Sequence, residues 1–434
     1  MKDYNTPRDA SPDELLAGKA RWLVPCSKHF YERPPHFVRG LMQYLWDSEG
    51  KRYLDFFSGV SVNSCGHCNP AIVEAAAAQM ARLQHLSSIY LTAPAMELAE
   101  RLAAIMPGGI SRSFFCNSGS EANEGAFLAA RLHTGNRRLL SIEGGLHGRT
   151  FLGMATTGIP MWRTDPFLPA IGEPGPDATV LPGIYDKASG RVTDENCARS
   201  IAAIGQAMSA GDAAAIIVEP IQGNGGIVPL PDNYLLELRR LASASGVLMI
   251  ADEVQTGFGR SGSMFAVGQS GVEPDIVTVA KALGNGTPVA AYCATEAVAS
   301  SFTRPSASTL GGNPVSAAAA IAVLDYIDAE GLVERAAALG ARLESGLREL
   351  AARHPCLADV RGRGLMLGAE LRKPDGSPDP EGADLVLEFA KDRGLIVGKN
   401  GLYRNVLAFQ PPLVIVESDV DFALGVIEAA LQTV

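Results

Sequence analysis

Residues 275–288 read DIVTVAKALGNGTP, an apolar run rich in β-branched residues that closes on a single lysine, Lys281. Gly284 and Gly286 follow at once, so the run predicts a buried strand that ends in a turn. Because most lysines are solvated, the ordinary interpretation of Lys281 is a surface residue before that turn. The other interpretation is an amine kept out of water at a strand end, where it can condense with a carbonyl group. The rest of the sequence decides between them.

Strand-like and helix-like segments alternate before this run. The strands are predicted at SRSFFCN, RRLLSIEG, AAAIIVEPI and VLMIADEV, and the helices at EANEGAFLAARLH and YLLELRRLASASG. This alternation predicts an α/β fold with a mostly parallel sheet and helices on both faces. Residues 41–57 predict a hairpin, and residues 161–200, rich in Pro, Gly and Asp, predict a long surface insertion.

The length of the chain, 434 residues, predicts more than one simple core. After residue 315, long helical segments are followed by alternating strands and helices, which predict a smaller α+β domain. We therefore predict three parts. They are an N-terminal segment 1–60 that joins the small domain, a large domain 61–315 and a C-terminal small domain 316–434.

The composition argues against several classes of partner. Hydrophobic residues make up 47% and charged residues 19%, as in an ordinary soluble globular protein. The net charge of −10, without a basic block, argues against nucleic acid and anionic membranes. The seven scattered cysteines, the polar N-terminus and the lack of a long apolar run lead us to expect a cytoplasmic protein. No zinc-site spacing occurs, so we predict no metal.

Polar residues follow three of the predicted strands where each strand ends. Residues 117–121 read NSGSE, and the spacing of Ser118 and Glu121 predicts a capping box at a helix start, where free N–H groups can bind phosphate. Asp252 follows VLMIA, and Lys281 follows DIVTVA. An anion site, a carboxylate and an amine at strand ends match the needs of pyridoxal 5′-phosphate, which needs a partner for its pyridine nitrogen and an amine for its aldehyde.

The chain as a whole resembles the class III aminotransferases, which belong to the fold-type-I pyridoxal-phosphate enzymes. The resemblance covers nearly the whole chain and rests on QYLWDSEGKRYLDFFSG, GHCNP, FCNSGSEANE, LHGRT, VEPIQGNGG, ADEVQTGFGRSG, DIVTVAKALGNG, STLGGNP, RGRGLMLGAEL and PPLVI. The run ADEVQTGFGRSG, with a lysine at the family's distance after it, is highly specific. The resemblance implies the fold-type-I architecture and transamination of a small primary amine or amino acid.

The resemblance also implies roles for individual residues. Lys281 would form the Schiff base with the cofactor, and Asp252 would keep the pyridine nitrogen protonated. Val254 would pack on one ring face, and Gln255 would hydrogen-bond the ring hydroxyl. The other cofactor-site residues would be Gly119 and Ser120 at the phosphate, Leu146, His147 and Glu219 near the ring, and Thr309, which would reach the phosphate of the neighbouring subunit. The role of Thr309 implies a homodimer with sites shared across the interface.

Three positions depart from the family's pattern. Leu146 stands where the family usually has an aromatic residue stacked on the ring. Ala408 stands where members that use 2-oxoglutarate usually carry an arginine that clamps the acceptor's α-carboxylate. Asn224 stands where the same members often carry a glutamate that neutralises that arginine, so the two charges are lost together. Arg404, four residues from Ala408, could substitute for the clamp, and Val60 is a further candidate for the substrate site.

These departures leave the reaction open between two alternatives. The leading one is an aminotransferase whose acceptor is not 2-oxoglutarate but a smaller keto acid such as pyruvate or glyoxylate. The run YRNVLAFQPP is also similar to the corresponding segment of the family's phospholyases, which eliminate phosphate from phosphorylated amino alcohols. Those lyases, and similar ones acting on aminophosphonates, need no keto acid. A third hypothesis is a catalytically inactive binding protein on the same fold. The presence of Lys281, Asp252 and Gln255 argues against it.

Overall fold

The computed structural model describes residues 10–434, so the first nine residues of the predicted segment 1–60 lie outside the described part. The helices are α1 (Pro12–Trp22), α2 (Ser58–Ser61), α3 (Pro70–Arg82), α4 (Ala93–Ile105), α5 (Gly119–Thr134), α6 (Phe151–Thr156), α7 (Asp194–Ser209), α8 (Asp232–Ser245), α9 (Glu296–Ala299), α10 (Pro314–Ala329), α11 (Leu332–Arg353), α12 (Pro380–Asp392) and α13 (Glu417–Leu431). Within residues 10–434, every helix is too short or too polar to cross a membrane.

In the described part of the chain, nineteen strands accompany these helices. They are β1 (Phe37–Leu41), β2 (Tyr44–Asp47), β3 (Arg52–Asp55), β4 (Ile110–Cys116), β5 (Arg138–Ile142), β6 (Ala178–Leu181), β7 (Tyr185–Asp186), β8 (Arg191–Val192), β9 (Ala213–Val218), β10 (Ile221–Gln222), β11 (Val228–Pro229), β12 (Leu248–Asp252), β13 (Ile276–Val279), β14 (Ala290–Thr295), β15 (Leu357–Arg363), β16 (Met366–Leu371), β17 (Leu395–Ile396), β18 (Gly398–Asn400) and β19 (Val406–Phe409).

Seven strands form a central sheet in the order β4-β14-β13-β12-β9-β5-β6. The strands from β13 to β6 pair in parallel, whereas β14 runs antiparallel to both of its neighbours. Successive residues of the inner strands point to opposite faces: Ile217 packs in a cluster with Phe127 of α5, and Ile216 packs in another with Leu238 of α8. Helices therefore cover both faces, which explains why β9 is apolar at every position. The predicted fold class is confirmed.

The expectation of a surface insertion over residues 161–200 is wrong at its centre. Strand β6 is buried and forms the edge of the central sheet, in parallel with β5. The segment also runs into α7, which is N-capped by the side chain of Thr193. The four residues of β6 are too few to show a period, and the Pro and Gly residues around them dominate the composition.

Two four-stranded sheets lie outside the central one, in the orders β1-β2-β3-β17 and β15-β16-β19-β18. The predicted hairpin is confirmed as β2–β3, and the carboxylate of Asp47 accepts hydrogen bonds from the N–H groups of Glu49 and Lys51 in its turn. Strand β3 pairs in parallel with β17, so N-terminal and C-terminal residues share one sheet. The division of the chain at 60/61 and 315/316 stays a prediction.

A buried charge network holds β16 in place. Glu370 is fully buried, and its carboxylate accepts hydrogen bonds from Arg361 and Arg372, both at 2.8 Å, and from the hydroxyl of Tyr185 at 2.7 Å. Arg361 also donates to the carbonyl of Gly226 at 2.9 Å. A buried carboxylate is tolerated here because it has two cationic partners. The network joins the C-terminal sheet to the loop that carries Gly226.

Candidate active site

The residues predicted to carry the chemistry follow neighbouring strands of the central sheet. Strands β9, β12 and β13 run in parallel side by side, with Asp252 paired to Thr278. Their carboxyl ends therefore lie at one edge, which is where ligands bind in such sheets. Glu219 follows β9, Asp252 ends β12, and Lys281 comes two residues after β13.

Asp252 is a buried carboxylate held from three sides. Its Oδ2 accepts a hydrogen bond from Nδ2 of Asn123 at 2.9 Å and lies 2.9 Å from Nδ1 of His147. Its Oδ1 accepts from the N–H of Val254 at 3.2 Å. Three partners fix the orientation of the carboxylate and offset the cost of burying it. The structure thus brings together Asp252 and His147, which the sequence analysis had named separately as cofactor-site residues.

Asn123 is a site residue that the sequence interpretation missed. Its Nδ2 donates both to Asp252 and to the carbonyl of His147, at 2.9 Å each, so it joins α5 to two other elements of the site. The available signal was its position three residues after Ser120 on α5, because residues three apart share a helix face. Two atoms of the site, Oδ1 of Asn123 and Nε2 of His147, are buried without a hydrogen-bond partner among residues 10–434.

Lys281 has a backbone conformation that is rare for its residue type. Its φ is +46°, in the left-handed region, where a side chain costs roughly 1–2 kcal/mol. Burial lowers the pKa of the amine, and the negative charges of Glu219 and Asp252 oppose that shift. Of the two interpretations of Lys281, the amine kept out of water is therefore the better description. Its amine is desolvated and lies near two carboxylates. Strain of this kind is typical of functional sites.

Glu219 joins two loops of the site. Its Oε1 accepts a hydrogen bond from the N–H of Leu146 at 2.7 Å, and its Oε2 accepts from the N–H of Gly223 at 3.0 Å. Burial, followed by the negative charge of Asp252, raises the pKa of Glu219 to about 7. The two N–H donors tie the loop after β5 to the loop after β9. This geometry agrees with a supporting role for Glu219 near the cofactor.

The N-terminus of α5 offers an anion site. Ser118 caps the helix, its Oγ accepting from the N–H of Glu121 at 3.3 Å. The carboxylate of Glu121 accepts from Ser118 Oγ and from the N–H of Asn117, so the predicted capping box is formed only in part. The N–H groups of Gly119 and Ser120 open the helix, where such groups have no intrahelical acceptor. They are available to a phosphate.

Close packing explains two glycines of the site. A Cβ at Gly119 would lie 2.7 Å from Cγ1 of Val254, so only glycine lets Val254 approach the helix. A Cβ at Gly223 would lie 2.0 Å from Oε1 of Gln255. Gln255 is buried, and its Nε2 has no hydrogen-bond partner in the part of the chain that the structure describes. A buried amide N–H₂ in this state calls for an external acceptor.

These features fit pyridoxal phosphate, the cofactor that the resemblance implies. The N–H groups at the start of α5 suit its phosphate, and the unpaired Nε2 of Gln255 suits an oxygen on its ring. The buried carboxylate of Asp252 suits a protonated ring nitrogen, and Lys281 supplies the amine. Each of these assignments rests on one of the unsatisfied or desolvated groups described above.

Thr309 lies on a loop beside the start of α5. It is exposed on a loop whose Ser308 Oγ accepts a hydrogen bond from Nδ2 of Asn117 at 3.5 Å. A cavity of about 400 Å³, lined in part by Asn117, Glu121 and Thr309, opens beside this loop. The contact of Thr309 with a neighbouring subunit stays a prediction.

Val60 lies in an unusual turn. The four residues of α2 have φ values between +46° and +67°, and +67° for the β-branched Val60 is a strained value. The carboxylate of Asp55 accepts from the N–H groups of Phe57 and Ser58 at 2.8 and 2.9 Å, which supports the start of the turn. The role of Val60 in substrate binding stays a prediction.

Comparison with known proteins places these features in context. The profile of the family described as "Aminotransferase class-III" matches residues 32–431. Alanine–glyoxylate aminotransferase 2 homolog 2, mitochondrial, of Arabidopsis thaliana is 38% identical, over 99% of this chain and 90% of its own length. Acetylornithine aminotransferase of Methanothermobacter thermautotrophicus is 41% identical, over 92% and 94%. The solved structure of a phospholyase from Arthrobacter in complex with phosphoethanolamine is 33% identical, over 97% and 100%, with a TM-score of 0.87.

Proposed function

Given that this chain belongs to the aminotransferase class-III family, we propose that it passes the amino group of a small primary amine to an acceptor other than 2-oxoglutarate. The protein is a pyridoxal-phosphate-dependent transaminase of amine or amino-acid substrates. The acceptor is the open part of its function, and the departures at Ala408 and Asn224 carry the proposal.

The residues around the cofactor site divide the binding work. When bound, pyridoxal phosphate supplies an aldehyde that takes up the amino group and a conjugated ring that accepts electrons. We assign the phosphate to the N–H groups of Gly119 and Ser120. Asp252 holds a proton at the ring nitrogen, and Nε2 of Gln255 donates to the ring oxygen. Val254 supplies an apolar contact to the ring.

Lys281 carries the proton transfers in this assignment. A general base works best when its pKa lies near the working pH. Burial lowers the pKa of the Lys281 amine and so brings it closer to that pH. Leu146 replaces the stacked aromatic of the family by a plain apolar contact, while its N–H holds Glu219. His147 and Asn123 keep the carboxylate of Asp252 in one orientation.

The surroundings of Ala408 argue against an acceptor clamp at this position. Ala408 is fully buried in β19, directly between Gly368 and Gly398 of the flanking strands. A Cβ at Gly398 would lie 2.0 Å from the ring of Phe57, and one at Gly368 would lie 2.9 Å from Cβ of Ile227. The positions beside Ala408 on this face of the sheet are therefore packed against other side chains, and position 408 itself carries no arginine.

Asn224 completes the argument for the acceptor. It is a neutral residue whose carbonyl accepts a hydrogen bond from the N–H of Gly401 at 3.0 Å. With no arginine at position 408, a glutamate here would be a charge without its partner. The Arabidopsis relative is named for glyoxylate, a keto acid with a single carboxylate. An acceptor of that kind needs one anion-binding contact, whereas 2-oxoglutarate, with a carboxylate at each end, needs two.

A single-turnover assay tests the acceptor. The amino form of the enzyme is mixed with 2-oxoglutarate, pyruvate or glyoxylate, and the return of the resting enzyme's visible absorbance is followed. Because a charge-assisted carboxylate contact contributes about 1.5–3 kcal/mol, we expect 2-oxoglutarate to react with a kcat/KM about tenfold to a hundredfold below that of the best small keto acid. Saturation by micromolar 2-oxoglutarate at a rate equal to that of pyruvate or glyoxylate would refute the proposal.

A lyase reaction is the second candidate. The observation that favours it is the similarity to the Arthrobacter phospholyase, whose structure was solved with phosphoethanolamine. A lyase would release ammonia from a β-substituted amine without any keto acid. The same enzyme preparation, given phosphoethanolamine alone, separates the two reactions. Ammonia in amounts exceeding the enzyme would replace the transaminase assignment by the lyase.

We also propose a homodimer in which Thr309 reaches the partner's cofactor phosphate. Ile89, Tyr90 and Leu91 form an apolar segment with exposures of 71%, 60% and 91%. The segment adjoins the loop of Thr309, because Ser88 Oγ donates to the carbonyl of Ser308 at 3.3 Å. Exposed apolar segments of this kind mark interfaces.

Light scattering of the Ile89→Asp/Leu91→Asp variant tests the dimer. Burying two charges in an apolar interface costs several kcal/mol, so the dimer dissociation constant should rise by more than about a hundredfold. Phe167→Asp, at an exposed aromatic elsewhere, is the matched control. A wild-type mass of one chain at micromolar concentration would contradict the dimer.

The cytoplasmic location also remains part of this proposal, and recovery of native protein from a membrane or secreted fraction would contradict it.

A further inference from the structure

Arg404 lies in a turn that is fastened to the loop after β9. The N–H of Arg404 donates to the carbonyl of Gly401 at 3.0 Å, which closes the turn between β18 and β19. The N–H of Gly401 donates to Asn224, and Nδ2 of Asn400 donates to the carbonyl of Gly223 at 3.1 Å. Because Gly223 is also bound by the active-site Glu219, the turn is positioned by the loop that borders the cofactor site.

The backbone of Arg404 is strained. Its φ is +60°, in the left-handed region, where the Cβ comes too close to the following carbonyl oxygen. Such strain persists where the surrounding structure holds the residue for a purpose. In this position the strain fixes the direction in which the side chain leaves the turn.

The guanidinium of Arg404 is half-buried and has no ion pair or hydrogen bond with any residue from 10 to 434. Burial lowers its pKa, and the negative charge of Asp384 opposes that shift. Asp384 is itself bound to the amine of Lys399. Arg361 and Arg372, in the same part of the molecule, both have Glu370 as partner. Arg404 is thus a partly desolvated cation without a carboxylate partner of the kind that Glu370 provides for Arg361 and Arg372.

Phe30 covers this cation. The guanidinium carbon of Arg404 lies 5.0 Å from the centroid of the Phe30 ring, within the range of a cation–π contact. The Phe30 ring also lies 5.8 Å from the ring of Phe57, which directly precedes the strained turn of Val60. The hydroxyl of the next residue, Tyr31, donates to the carbonyl of Val397 at 3.3 Å, which anchors the segment. Phe30 therefore links Arg404 to Phe57, at the start of the turn that carries Val60.

We propose that Arg404, covered by Phe30, binds an anionic group carried by the amine substrate. The substrates of this enzyme are then small primary amines that end in a carboxylate or a phosphate, the two anions that the planar guanidinium binds through paired hydrogen bonds. The proposal rests on the proposed transaminase function for its choice of substrate. It assigns the substrate's anion to a position four residues from the one that the family uses for the acceptor.

Half-reactions with matched amines test the proposal. The resting holoenzyme is mixed with 4-aminobutanoate or butylamine, and with phosphoethanolamine or ethanolamine, and the loss of its visible absorbance is followed. Arg404→Met should lower kcat/KM for the two anionic amines about tenfold to a hundredfold and leave the two uncharged amines within about twofold. Arg404→Lys should lose less, because it keeps the charge but not the paired geometry. The carboxylate and phosphate arms show which anion the site prefers.

Two further measurements make the result decisive. Arg393→Met is the matched control, because Arg393 also stacks on an aromatic ring, that of Phe389, but lies on the exposed end of α12. Calorimetric titration of the holoenzyme with propionate and with inorganic phosphate measures anion binding without turnover. Binding of either anion at least tenfold weaker in Arg404→Met supports the proposal even if no amine reacts, an outcome that would remove only the transaminase function. Equal binding of both anions by wild type and Arg404→Met, or equal losses for charged and uncharged amines, would overturn it.

Discussion

Lys281→Ala should lose amino transfer almost completely, with kcat at least about 10²- to 10⁴-fold below the wild type, the range attributed to a positioned proton-transfer group. The variant removes both the amine that condenses with the cofactor and the base that moves the proton. The amine of Lys281 is desolvated and near two carboxylates, whereas the amines of Lys187 and Lys399 are bound to Glu143 and Asp384. Neither of these two replaces it.

Borohydride reduction of the holoenzyme followed by peptide mass analysis identifies the lysine that holds the cofactor. Lys187→Ala is the matched control, since it removes a lysine whose partner Glu143 lies on the loop after β5. Added methylamine should restore part of the activity of Lys281→Ala, which would not happen if the residue only supported the fold. A cofactor label on any other lysine would show that Lys281 has been assigned wrongly.

Asp252→Asn should keep the cofactor bound and lower kcat by roughly 10²- to 10⁴-fold. A neutral amide cannot hold a proton at the ring nitrogen, so the developing negative charge on the substrate loses its stabilisation. Asn123 and His147 both contact Oδ2, so an asparagine can keep these contacts with its amide oxygen and then turns its N–H₂ towards the N–H of Val254. We expect the effect in kcat rather than in the amount of bound cofactor, which absorbance measures separately.

Glu253→Gln is the matched control for this experiment. Glu253 is the next residue and is equally buried, but its carboxylate accepts from Thr256 and from the N–H of Val267 rather than from residues of the site. Burial raises its pKa to about 7, so loss of its charge near neutral pH changes little. Turnover of Asp252→Asn equal to that of this control would exclude Asp252 as the partner of the ring nitrogen.

The central sheet was predictable because its signals are local. Each strand of the site is a short β-branched run, and each ends in a residue whose chemistry is costly to bury without a reason, such as Asp252 or Lys281. The start of α5 was predicted from the spacing of Ser118 and Glu121 alone. Strand β6 escaped because four residues carry no period, and its assignment depends on pairing with β5, which is distant in sequence.

The sequence by itself determined the fold class, the cofactor and the residues at the strand ends, because order along the chain fixes which groups follow parallel strands. The tertiary structure decided which of those groups meet. It brought Asn123 and His147 onto Asp252, and it set Ala408 between two glycines of the flanking strands. It also left the guanidinium of Arg404 without a hydrogen bond or ion pair among residues 10–434. Partners and free space are properties of residues that are close in space and far apart in sequence, and no local pattern records them.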